Sequence, residues 1–370
     1  MLDYSKWSIS ELITHVRDLE QSEENRRRQR EPLPYVVEIE NPITWAILFD
    51  YDVNTLFSDP SLYVRQHLLQ QLWHWDHIED DLPIVSDIPA WLGYYPEYTF
   101  LGMDVQFNRK GVPVISSDHP ISREANLALL EPVDFYHSGW MPRALRWYDD
   151  VSGIVNGQAN VTFLTWWRGC LDLAIQLRGY ENLMLDTMED PKFVKALLEL
   201  ITSERNKWHA ACCKYFHIPL KLASIGDDWI NIPFITPDFF CEFVLPCYKE
   251  IEKHHGGIES VHSCGNLTAV YQYLLELDGL DVLEVSPWTD LEQSINIIPP
   301  EKELIIKLSP GDVLYTAQGT MEKQLRNIAE RTRGRKIQVR TSGLTIESKL
   351  DTSFLQQIQL WTDTAKRVLR

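Results

Sequence analysis

The chain has 370 residues, 44% of them hydrophobic and 24% charged, a balance that excludes a disordered or low-complexity polypeptide. Its 35 Lys and Arg against 53 Asp and Glu leave a net charge of −18, so it lacks the positive field that holds phosphate backbones, which weighs against nucleic acid as a partner. Six cysteines are too sparse for a disulfide-stapled scaffold; with no apolar signal core near the start and no run of about 18 apolar residues, the sequence predicts a cytoplasmic protein with reduced thiols and no membrane span.

Residues 1–30 read as an N-terminal helical segment, in which the basic run Arg26–Arg30 follows Glu23 and Glu24 and reads as a solvated helix end. Tyr35–Ile39 is then the first of eight short apolar runs. Leu82–Asp87, Val161–Trp166, Leu220–Gly226, Ile258–His262, Leu280–Val285, Glu303–Leu308 and Lys336–Arg340 follow. They are rich in Val, Ile and Leu, as strands buried on both faces must be. Amphipathic stretches alternate with them: Leu62–Ile78, Pro191–Tyr215, Pro237–His254, Leu267–Leu277, Met321–Arg331 and Ser353–Val368. Thr236-Pro237-Asp238 carries a helix-start signal, a capping hydroxyl before a proline at the first helical position. Eight such units predict an α/β fold, a single (β/α)8 TIM-type barrel over residues 31–370. The long stretch of about 88–160, rich in Pro, Gly and aromatics, is predicted to cover its C-terminal mouth. A doubly wound open sheet is the other arrangement, but no GxGxxG loop supports it.

Barrels of this kind work at the carboxyl ends of their strands. The residues expected there include Glu38, Asp87, Asp227-Asp228, His262, Cys264, Glu284, Lys307 and Ser342. His262-Ser263-Cys264 has two readings. Residues two apart at a strand end point the same way, and an imidazole beside a thiolate is a zinc-type pair; a buried histidine beside an inert thiol is the alternative. Asp227 and Asp228 sit in Gly226-Asp-Asp-Trp229, where one carboxyl could orient or protonate a substrate against a Trp229 wall, or cap the following turn.

The stretch from Gly226-Asp227-Asp228-Trp229, through Pro237, Phe240 and Phe243 to Lys249, to His262-Ser263-Cys264-Gly265-Asn266 resembles the second half of the uroporphyrinogen decarboxylase superfamily. Leu177–Glu181 and Ser86–Ile88 fit the same register. The resemblance implies the barrel fold reached above from the strand count. It also implies one of two chemistries. Decarboxylases of the superfamily carry an arginine-rich N-terminal segment that grips substrate carboxylates; here the matching stretch, Arg30 to Glu40, places Glu38 and Glu40 near where those cations belong, which disfavours a polycarboxylate. The other branch comprises zinc-dependent methyltransferases linked to a corrinoid protein, with H-x-C-G as hallmark. It implies His262 and Cys264 as zinc ligands, methylcobalamin on a partner protein, and a small methylated substrate or a thiol or folate acceptor. The family's third ligand, a cysteine after the eighth strand, is replaced by Thr341-Ser342-Gly343. Glu284 is the expected substitute, with pairing to a nearby cation as its alternative role. Asp87, Asp227 and Asp228 are then the candidate catalytic acids, and Trp229, Glu38 and Ser342 the candidate substrate contacts. A decarboxylase-like lyase using Asp87, and a non-catalytic corrinoid-binding relative, are the competing functions.

Overall fold

The computed structural model describes residues 2–39, 42–93, 95–107, 113–346 and 352–370; Glu40 lies outside them. Eight short parallel strands alternate with helices: β1 (Tyr35–Val36), β2 (Ile88–Pro89), β3 (Val161–Thr162), β4 (Ala223–Gly226), β5 (Ile258–His262), β6 (Val282–Val285), β7 (Glu303–Leu308) and β8 (Ile337–Thr341). They pair as β1–β8–β7–β6, β2–β3 and β4–β5, parallel throughout. Arg168 continues the chain beyond β3 into a parallel bridge with Gly226 of β4. The Asp81 amide donates to the Tyr35 carbonyl at 2.9 Å, joining the segment before β2 to β1. These links follow the succession a (β/α)8 arrangement requires.

Along β7 and β8 buried residues alternate with half-buried ones, and the half-buried set includes Lys307 and Arg340. The period of two puts these polar side chains on one face and the apolar ones against the helices. The helix Pro191–Phe216 illustrates the other side of that contact. Asp190 caps it by accepting from the Phe193 amide, Pro191 fills its first turn, and His217 ends it in a left-handed conformation. Phe193, Val194, Leu197, Leu198, Ile201 and Trp208 recur at helical spacing and are buried in the main core. Among the described residues no helix is long and apolar enough to cross a membrane.

The N-terminal helix Ile9–Glu20 belongs to a second core. Its buried Leu12, Ile13 and Val16 pack with side chains of the helices Pro60–His77 and Met141–Val155. The last of these helices lies inside the stretch expected to roof the barrel, together with an antiparallel ribbon, Val105–Phe107 with Pro113–Ile115. None of the described residues in 88–160 lines the main cavity; the turn Pro96–Phe100 instead packs at the ends of β3 and β4, where Glu97 accepts from the Trp167 amide at 2.9 Å.

The second strand departs from expectation. It forms at Ile88–Pro89 rather than Leu82–Asp87 because side chains take its earlier backbone groups. Asn25 bonds both the amide and the carbonyl of Ile84, Gln71 takes the Val85 amide, and Glu20 takes the Ser86 amide. Asp87 therefore precedes the strand it was expected to end. The helix expected over Leu267–Leu277 is reduced to Tyr271–Leu274, and Pro237–His254 is interrupted by a π-helical turn at Phe240–Val244.

Candidate metal centre

Gly226 and His262 are register partners across β4 and β5. Asp228 and Cys264 each lie two residues beyond a partner, so strand alternation brings both to the same side. The Cys264 sulfur stands 3.4 Å from His262 Nε2, and Asp228 Oδ1 stands 3.7 Å from the same nitrogen. One carboxylate oxygen, one imidazole nitrogen and one sulfur thus lie within 4.8 Å of one another. A tetrahedral zinc with bonds of about 2.0–2.3 Å holds neighbouring ligand atoms roughly 3.3–3.7 Å apart, so the donor set fits zinc in chemistry, and its two separations from Nε2 fit in distance.

The other imidazole nitrogen, Nδ1, is hydrogen-bonded to Glu284 Oε2. With a carboxylate there, Nδ1 carries the proton and Nε2 keeps its lone pair facing Asp228 and Cys264. Glu284 is in turn paired with Lys307 at 3.2 Å, and Glu38 with Arg340 at 2.8 Å and Lys307 at 3.9 Å. On the far side Arg168 holds Asp228 at 3.1 Å and Asp172 at 2.9 Å. Trp167 stacks on the His262 ring at 5.5 Å. A Cβ on Gly226 would stand 2.3 Å from that indole, so only glycine admits Trp167 to this position.

Burial opposes ionisation of Asp228, but Cys264, Arg168 and His262 outweigh it and hold the carboxyl below its ordinary range. Glu284 is likewise lowered against burial, by His262 and Lys307. Burial, and then the charge of Asp228, push the Cys264 thiol up to about 12. Without a cation the sulfur is a thiol; a ligand thiolate needs a metal to replace its proton.

His262 and Cys264 line a cavity of about 720 Å3 whose walls also include Glu38, Lys307 and Ser342. A model of the uroporphyrinogen decarboxylase (URO-D) family matches residues 95–352. The chain belongs to the uroporphyrinogen decarboxylase family. In fold it is similar to a methyltransferase from Methanosarcina mazei, with a TM-score of 0.64 at 12% identity over 98% of this chain and 99% of the other. Among curated proteins no sequence matches it significantly.

Within this family frame the expected site residues divide. His262, Cys264, Glu284 and Asp228 come together, and Glu38 and Ser342 share the cavity that His262 and Cys264 line. Glu284, expected as third ligand, binds the nitrogen that faces away from Cys264; Asp228, expected as a catalytic acid, supplies the carboxylate beside the sulfur. Asp227 is fully buried and caps the helix Cys170–Arg178, accepting from the Leu171 and Asp172 amides at 3.1 and 3.0 Å and from the Tyr248 hydroxyl at 3.2 Å. Trp229 stacks on Tyr180 at 5.2 Å and does not line the cavity. Asp87 is exposed, and it too lies outside the cavity wall. Trp167 and Arg168 were residues that sequence reasoning did not assign to the site, and Lys307 was expected at a strand end without a role. Their signal was position alone, immediately beyond or at the end of a strand.

Proposed function

We propose that this chain is a zinc-assisted methyltransferase that moves a methyl group between a corrinoid carried by a partner protein and a small methylated substrate or a thiol or folate acceptor. The supporting observation is the donor set Asp228, His262 and Cys264 gathered within 4.8 Å at the ends of β4 and β5. The reading includes a cytoplasmic location, a closed (β/α)8 barrel over residues 31–370, and residues 1–30 as a helical segment against it. Asp228, His262 and Cys264 would hold the zinc, which would supply a Lewis acid able to keep a thiol ionised near neutral pH.

The chain's own residues do the positioning. Glu284 fixes the His262 tautomer, and Arg168 holds the far oxygen of Asp228 so that its near oxygen faces the sulfur. Trp167 covers one face of the imidazole. Three carboxylates, Glu38, Asp228 and Glu284, are balanced by Lys307, Arg340 and Arg168. Because those cations are already engaged, the cavity suits a small substrate better than an octacarboxylate, which disfavours the decarboxylase reading.

The test follows cobalamin absorbance with the zinc-loaded protein in both directions: loss of methylcobalamin with small thiols or a folate as acceptors, and formation of methylcobalamin from chemically reduced cob(I)alamin with methylated donors offered in turn. Protein-dependent methyl transfer that disappears in His262→Ala is expected. No transfer with any acceptor or donor, from protein carrying zinc, would contradict the proposal.

A further inference from the structure

Beside the main cavity lies a second of about 240 Å3, walled by Trp45, Leu56, Tyr63 and Trp91 with His67 and Gln70. Trp45, His67 and Gln70 line both spaces, so the smaller is a branch of the cavity that His262 and Cys264 line. Resting on the methyl-transfer reading above, we infer that this branch seats the aromatic ring of an aryl methyl ether, leaving the methyl group in the main cavity.

The lining carries the argument. Among the described residues no charged side chain other than the titratable His67 borders the branch, and burial lowers the His67 pKa, which favours its neutral ring. A carboxylate or phosphate entering it would lose its hydration without gaining a counter-ion. The Tyr63 hydroxyl is committed, bonded to the Pro89 carbonyl and accepting from the Trp91 amide at 3.2 Å. Polar recognition is therefore limited to His67, whose Nε2 already meets the Asp87 carbonyl at 3.3 Å and the Gln71 side chain at 3.1 Å, and to Gln70, whose amide nitrogen donates to the Tyr51 hydroxyl at 3.4 Å, enough for one hydroxyl or ether oxygen and too little for a sugar. The rings are already engaged by aromatic neighbours: Trp45 stacks on Phe49 at 5.8 Å, Tyr63 meets Trp147 edge-on at 5.4 Å, and Phe57 packs against Trp91 at 5.6 Å. A quaternary ammonium needs several open ring faces around it. In size, an apolar cavity of about 150 Å3 admits a benzene molecule, so this branch has room for one substituted ring.

The experiment titrates methoxybenzene, 2-methoxyphenol and tetramethylammonium into zinc-loaded full-length protein, reading tryptophan fluorescence and calorimetry, in wild type, Leu56→Phe and Gln70→Leu. The aryl ethers should bind and the ammonium should not. Leu56→Phe, which fills the branch, should weaken both aryl ethers by about tenfold or more at unchanged zinc content. Gln70→Leu, useful if the plugged variant folds poorly, should weaken 2-methoxyphenol and leave methoxybenzene unchanged. Wild-type aryl affinity in a folded Leu56→Phe protein, or tighter binding of tetramethylammonium, overturns the inference. Plug-sensitive aryl binding without any methyl transfer leaves the ring subsite standing and removes the methyltransferase reading. Transfer from an aryl ether at the wild-type rate in Leu56→Phe does the reverse.

Discussion

Which nitrogen of His262 faces which neighbour decides the chemistry of this site. Nδ1 belongs to Glu284, so Nε2 is left to the sulfur and to Asp228. Glu284→Gln should therefore keep zinc bound but weaken it by about 10–100-fold, measured by competition with a chromogenic chelator. In metal-free protein, the thiol pushed up to about 12 by burial and Asp228 should be alkylated slowly at pH 8, and Asp228→Asn should speed that reaction; mass spectrometry of the Cys264 peptide reads both. Away from the site, His209 and His255 are buried beside Arg205, and burial lowers them to about 2 and about 4. Their native forms bind fewer protons than the unfolded chain below about pH 6.5. Stability should therefore fall on acidification, by up to about 1.4 kcal/mol per pH unit for each group. Melting curves from pH 7 to 5 should show this slope, reduced in His209→Phe.

Among the elements, the paired strands β4 and β5 set the metal centre, and the turn after β4 divides its two aspartates. Asp227 serves the helix Cys170–Arg178, whereas Asp228 accepts from the Cys264 amide at 3.3 Å and stands beside its sulfur. Asp227→Ala leaves two buried amides unsatisfied and should cost about 1–3 kcal/mol, seen as a lower melting temperature with zinc content unchanged; Asp228→Ala should lose zinc instead. Much of this level was legible in the sequence. All eight strands form at or beside their Val/Ile/Leu-rich runs, since a strand buried on both faces has no other composition open to it. The exception was β2, where the deciding groups, Asn25 and Glu20, lie some sixty residues away. His262 and Cys264 were legible as a pair because alternation acts within one strand. The third donor was not, because choosing Asp228 over Glu284 depends on how three separate strands stand around one ring.

At the scale of the whole molecule, the chain closes around two cores that share the helices flanking the first strands. The N-terminal helices contribute Leu12, Ile13 and Val16 to one core, and Asn25 to the backbone before β2. Each buried aliphatic is worth roughly 1.5–3 kcal/mol, so removing residues 1–30 should destabilise the protein by several kcal/mol and yield insoluble or molten material, as judged by calorimetry. The net charge of −18 works in the same direction as the engaged cations of the cavity, against polyanionic substrates. The account as a whole turns on the three-donor centre. Its most direct measurement is zinc content by plasma mass spectrometry after zinc loading and dialysis, in wild type, Asp228→Ala, His262→Ala and Cys264→Ala. About one zinc per chain in wild type, lost from all three variants, is the predicted result. Wild-type protein that retains no zinc, or an Asp228→Ala variant that keeps it, would contradict the centre described.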